Sequence, residues 1–221
     1  MATLPATISR ICDDLSRPES EIGASVRREI LSAIEHYTPE RFAFNERTLQ
    51  FSLSASVDAY SLASIITANE GADPAAGIDS IIGIDRVRLY RGGYYYTLDA
   101  TTWGELSDMR DANVVVGDPG WWAVFNKTLY FESSVGSDAG LGYVEGHVKL
   151  KPLDDSDTAE NAWLQEGREL IAARASAMVC RKKLQDFELA QAFDAVESNE
   201  LASLVQRATK LTSSGRIRGS W

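Results

Sequence analysis

The sequence predicts an α+β protein: a helical bundle built from both chain ends, interrupted by an inserted antiparallel β-sandwich or barrel-like domain. Three observations predict it. Apolar residues recur at steps of three, four and seven near both ends of the chain, a spacing that lines one side of a helix. In the middle the period drops to two, as in a half-buried strand. The strands are joined by short turns with no helix regularly between them, which argues against a doubly wound parallel sheet. These changes place the bundle at 1–40 and 155–211, the β-rich domain at 41–154 and an extended tail at 212–221.

In chain order, Leu4, Ile8, Ile11, Cys12 and Leu15 share one side of a helix over 4–16, which Pro18 ends. Ser16 and Glu19 have capping-box spacing for a second helix. That helix buries Ile22, Val26, Ile30, Ala33, Ile34 and Tyr37, and Thr38-Pro39 stops it. Leu49, Phe51 and Leu53 alternate as a strand, and 66–80 reads as a loop from its Gly, Pro, Asn and Asp content. Residues 81–100 form a hairpin turning at Arg91-Gly92-Gly93, with Val87 and Leu89 on one face. Thr102 and Glu105 cap a short helix to about Met109. Asn126-Lys127 tips a second hairpin over 121–133, a glycine-rich loop covers 135–142, and a last strand ends at Pro152. The middle is thus six to eight strands with one small helix. From a capping box at Asp157 and Glu160, one long helical stretch is expected through Lys210. Leu164, Ile171, Ala175 and Met178, then Phe193, Val196, Leu201, Leu204, Ala208 and Leu211, run along one side of it.

With 221 residues, 44% of them hydrophobic, the chain can bury a core without staples. Acids outnumber bases 32 to 22, a net −10, which argues against gripping nucleic acid by its phosphates. An acidic wall still lets DNA pass without holding it. No apolar run is long enough for a membrane span, and MATLPATISRICDDL shows no basic stretch followed by an apolar core, so a secretory signal is not expected. Cys12 and Cys180 fall at helical positions and are expected to be reduced, buried thiols.

Catalytic signatures are missing, so no enzyme activity, cofactor or metal is expected. There is no phosphate-cradling G-x-x-x-x-G-K-[ST] and no G-x-S-x-G. Gly136, Gly140 and Gly142 lie between strands, not before a helix. His36 and His147 lack partners at ligand spacing. Asp154-Asp155-Ser156-Asp157 lacks the glycine and glutamate of a calcium loop. Glu132, Asp138 and Glu145 form no recognisable catalytic pair for a hydrolase. Asn126-Lys127-Thr128 matches a glycosylation pattern at a hairpin tip. Two features point to binding instead. Adjacent Trp121 and Trp122 must face opposite sides of a strand, one toward the core and one toward solvent or an interface. An exposed tryptophan could also stack on a sugar, so a carbohydrate-binding β-sandwich module is the alternative reading. In the tail, Arg216, Ile217, Arg218 and Trp221 set cations around an aliphatic residue with a terminal aromatic, a peptide suited to a partner's groove.

The layout resembles the head-to-tail adaptor (connector) proteins of tailed bacteriophages across nearly the whole chain. The matching segments are Tyr37 with Arg41-Phe42-Ala43-Phe44-Asn45-Glu46, Gly117-Asp118-Pro119 before an aromatic strand, Trp163 with Leu170-Ile171 and Arg174-Ala175, and Gly215-Arg216-Ile217. The loop Thr67–Ser80 fits no part of that pattern. The resemblance implies a structural virion protein, made in the host cytoplasm and placed at the head–tail junction. It implies a dodecameric homo-oligomer under the portal protein that extends the DNA channel toward tail or neck proteins, with the tail residues 216–221 reaching the portal. DNA would pass without sequence-specific contacts, and no membrane is involved.

Overall fold

A computed structural model describes residues 3–69, 77–112, 118–136, 140–151, 153 and 162–214, with side chains followed to 209. The elements in order are α1 (Leu4–Asp14), α2 (Glu19–Tyr37), β1 (Glu46–Ser52), β2 (Ala59–Ser61), α3 (Leu62–Asn69), β3 (Ile78–Arg91), β4 (Tyr94–Ala100) and α4 (Trp103–Ala112). Then come β5 (Trp121–Phe125), β6 (Thr128–Phe131), β7 (Leu141–Leu150), α5 (Ala162–Gln165), α6 (Arg168–Val179) and α7 (Phe187–Ser214). The fold is mixed α and β, and among the described residues the strands form one seven-stranded curled sheet. The chain divides into two compact units, Met1–Asn45 with Leu150–Trp221, and Glu46–Lys149.

In the helical unit, α1 starts at Thr3, whose hydroxyl oxygen accepts the Ala6 N–H at 3.4 Å. It buries Leu4, Ile8, Ile11 and Cys12. The capping box expected before α2 does not form. Ser16 sits at φ 51°, Pro18 occupies the cap position, and Glu19 instead accepts from Ser9 at 2.8 Å. Pro18 has the extended φ and ψ of a cap, so the helix starts without a side-chain partner. α2 buries Ile22, Val26, Ile30, Ala33 and Tyr37.

The single long helix expected at the C-terminal end is three helices. It breaks before α6 at Gly167, and again after a π-helical turn, Cys180–Leu184, where Gln185 adopts φ 57°. The first break has a local signal in Gly167, whereas the periodicity runs through the second because residues 168–214 contain neither Gly nor Pro. α6 is the true centre. Leu170, Ile171, Ala172, Ala173, Ala175, Ser176, Ala177 and Val179 are buried, with α1, α2, α5 and α7 all packed on it. A helix buried over most of its circumference can only sit where neighbours surround it. α7 runs back along α6, since Arg181 pairs with Asp194 while Arg174 pairs with Glu197. The expected capping box at Asp157 and Glu160 lies outside the described residues.

In the β unit the strand order is β1-β7-β3-β4-β5-β6-β2. The sheet is not antiparallel throughout, as the sequence had suggested: Asp99 and Ala100 of β4 pair parallel with Trp121 and Trp122 of β5. The reason is α4, which provides the crossover that a parallel pair requires. Its reciprocal cap is in place, with Thr102 N–H donating to Glu105 at 3.2 Å and Glu105 N–H to Thr102 at 3.3 Å. The region read as a loop, 66–80, begins inside α3, which buries Leu62, Ile65 and Ile66 at helical spacing, and ends in β3, which starts at Ile78; residues 70–76 lie outside the described residues. The glycine-rich stretch is also more than a loop. Gly142 belongs to β7 and lies directly beneath the Phe51 ring.

Candidate functional site

Two surfaces hold the side chains with the most chemistry. In the helical unit a polar seam joins α2, α6 and α7. The Tyr37 hydroxyl donates to Glu197, and Arg174 donates to the same oxygen at 2.7 Å while lying 5.4 Å over the Tyr37 ring. Burial, then the Glu197 carboxylate, push the Tyr37 phenol far up, so it stays protonated as a donor.

Glu29 on α2 is only 2% exposed; Lys182 donates to it at 2.8 Å and Arg28 at 3.2 Å. Burial alone pushes this carboxyl up, but the two cations together hold it below its ordinary value. The folded-state pKa is therefore the lower one. Its stabilisation is present above about pH 4.3, the unfolded value, and is lost as pH falls through the folded value. Glu169, held down chiefly by hydrogen bonds from Arg10 at 2.5 and 2.6 Å, has the same sign. Urea unfolding midpoints are expected to fall between pH 5 and pH 3, roughly the window of carboxylate titration. Glu29→Gln should flatten that slope. An unchanged slope in the variant would remove Glu29 from the account.

The β unit carries the aromatic surface. Tyr94, Tyr95 and Tyr96 are 70%, 58% and 45% exposed beside the turn at Gly92 and Gly93, where φ is 56° and 87°. Glycine takes such angles without a Cβ clash. Arg88 lies 5.2 Å over Tyr95 and 5.8 Å over Tyr143, and Glu145 holds both Arg88 and Arg86. Arginine and tyrosine at this density are the composition of contact surfaces. On β5, the structure separates the two candidate tryptophans. Trp121 is 39% exposed, whereas Trp122 is 6% exposed and packs in the core, so Trp122 is not an interface residue. Strand alternation forces that difference. Glu132 fixes the start of this strand by accepting both the Gly120 and Trp121 N–H groups. Below it, Trp103 stacks on Phe125 at 4.8 Å and meets Tyr130 at 4.6 Å.

The other predicted positions are dispersed. Arg216, Ile217, Arg218 and Trp221 lie outside the described residues, as does Asp138. Glu132 accepts backbone N–H groups, and Glu145 pairs with Arg86 and Arg88. His36 ends α2 on the surface, and His147 covers Gly83 of the neighbouring strand. Among the described residues no three His, Cys, Asp or Glu side chains group as metal ligands. Cys12 and Cys180 are buried free thiols, and burial pushes both upward.

No family model matches this chain. No curated protein matches its sequence either.

Sequence reasoning singled out Trp121 and Trp122 but missed the Arg88 sandwich, because Tyr95 and Tyr143 are far apart in the chain. The alternation of Arg86, Arg88 and Tyr90 along β3 was the available signal. Among the described residues no helix is long and apolar enough to cross a membrane.

Proposed function

We propose that this chain is a structural assembly protein of the head-to-tail adaptor kind found in tailed bacteriophages. In this reading, helices from both chain ends make one bundle and the β unit is its insertion. Twelve copies form a ring under the portal protein, continue its DNA channel and offer a platform to tail or neck proteins. Residues 216–221 anchor each copy to the portal.

The observation that carries the proposal is an aromatic cluster. Two of the segments that resemble the family, 41–46 and the region of Trp163, are over 100 residues apart in the chain. They meet in the helical unit: Trp163 packs edge-on against Phe42 at 5.6 Å and Phe44 at 4.9 Å. Asn45 completes the segment by accepting the Phe42 N–H and donating to the Glu40 carbonyl, each at 2.9 Å. The resemblance thus involves residues that pack together. Charge supports the same reading. The β unit, Glu46–Lys149, has 14 acids and seven bases, so it carries −7 of the total −10. Such a surface repels phosphate within about a Debye length, roughly 8 Å at physiological salt.

Negative-stain microscopy of the chain mixed with purified portal tests the proposal. The expected image is a ring stacked on the portal. Deleting 215–221 is expected to abolish attachment while leaving the fold intact. Absence of any ring, with or without portal, would overturn the assignment. A second reading, carbohydrate binding, is favoured by one feature: Trp121 borders a shallow depression with Thr101, Thr102, Glu105 and Met109. A glycan array on wild type and Trp121→Ala separates the two, and binding lost with the indole would favour the sugar module.

A further inference from the structure

The reversal between α6 and α7 is built from unusual parts. The last turn before it is π-helical, a rare conformation that is frequent at functional sites. A single residue, Gln185 at φ 57°, then turns the chain. Helices that stop this way normally use Gly or Asn, because other side chains crowd the backbone in the left-handed region. Asp186 restarts the helix by accepting the Leu189 N–H at 2.9 Å. With no Gly or Pro anywhere in 168–214, the local sequence is equally compatible with one uninterrupted helix.

The contacts that hold α7 are polar and register-specific. Arg174 meets Glu197 at 2.7 Å, Arg181 pairs with Asp194, and Tyr37 donates to Glu197. The side of α7 facing α6 contributes few fully buried apolar residues, namely Ala190, Leu204 and Ala208. Charge is complementary along the seam. From 168 to 184 there are five cations and one acid, while from 187 to 209 there are four acids and one cation. Every one of these contacts can be supplied by α7 of another copy, in the same register.

We propose that α7 is an exchangeable arm taken by a second copy of this chain. On association the reversal at Gln185–Asp186 opens, α6 and α7 continue as one helix, and α7 lies on α6 of a neighbouring copy. Exchange keeps the seam and releases the left-handed turn, while the loss of freedom on association makes it depend on protein concentration. This is independent of the adaptor assignment, since rings can form with α7 retained.

The test uses the full chain with Arg181→Cys and Asp194→Cys, and separately Arg174→Cys and Glu197→Cys. Each pair leaves the other ion pair in place. The native Cys12 and Cys180 are buried, and wild type treated identically is the control. Oligomeric fractions are treated with a short bismaleimide and run on a denaturing gel. Exchange gives covalent dimers and higher bands with both pairs. Gln185→Gly, which removes the crowding at the turn, should reduce those bands about fivefold, the factor for roughly one αL penalty. Cross-linked monomer alone in oligomeric fractions, or a chain that is monomeric at every concentration, would overturn the proposal. A ring on the portal showing only cross-linked monomer would leave the adaptor assignment standing and remove the exchange.

Discussion

Gly146→Ala is expected to destabilise the β unit by about 3 kcal/mol, at the upper end for overpacking a core. Gly146 lies in β7, and a Cβ there would land on the Gly83 carbonyl of β3, with Ile84 Cα 3.0 Å away. The obstacle is backbone within a hydrogen-bonded sheet, so no rotamer change relieves it. Relief requires separating β3 from β7 in the middle of the strand order. The matched control is Gly104→Ala in α4, where nothing lies within 4 Å of an added Cβ. There alanine should be neutral or better, since it favours helix by up to about 1 kcal/mol over glycine. Urea unfolding followed by tryptophan fluorescence reads both variants. Equal midpoints for the two would show that the β3–β7 approach is not tight.

Trp163→Ala is expected to cost about 3–5 kcal/mol, the range for emptying a buried aromatic site. Trp163 is 2% exposed, and its edge-on contacts with Phe42 and Phe44 add to the area it buries. Phe42 and Phe44 also stack on each other at 5.3 Å, so the cavity would be bordered by rings that cannot collapse far. Because the Asn45 turn leans on these rings, the Phe42 and Asn45 amides should lose hydrogen-exchange protection before those of α2. Trp163→Phe should retain most of the stability. A Trp163→Ala protein with wild-type midpoint and unchanged protection would remove this cluster as the organising contact of the 40–45 segment.

Much of the helical unit was legible because its signals are local. α1 and α2 follow from apolar spacing, and the buried residues read from that spacing include Ile8, Ile11, Ile22, Val26 and Ile30. The hairpin turns were legible too, since Gly92-Gly93 and Asn126-Lys127 occupy positive-φ positions between alternating strands. Asn126 and Lys127 take φ 46° and 58°, the twin left-handed residues of a tight hairpin. α3 was missed because its three buried residues precede a stretch rich in loop formers, and the composition of that stretch outweighed a short period. The candidate contact surface was legible only at Trp121 and Trp122. Which aromatic side chains of the β unit pair, and which are exposed, depends on cross-strand register.

By itself the sequence determined the class of the protein, the helical ends, the β middle, the acidic balance and the alternation that sends Trp121 and Trp122 to opposite faces. Those properties reside in nearest neighbours along the chain, at periods of two or 3.6. Tertiary structure alone decided that Trp122 is the buried one, that α4 makes one strand pair parallel, and that the C-terminal helix reverses at Gln185. A helix with no Gly or Pro has no local reason to stop there. The reversal is favoured because α6 buries residues on most of its circumference and needs a partner to cover it, and α7 supplies both that cover and the counter-charges for Arg174 on α6 and Arg181 just after it.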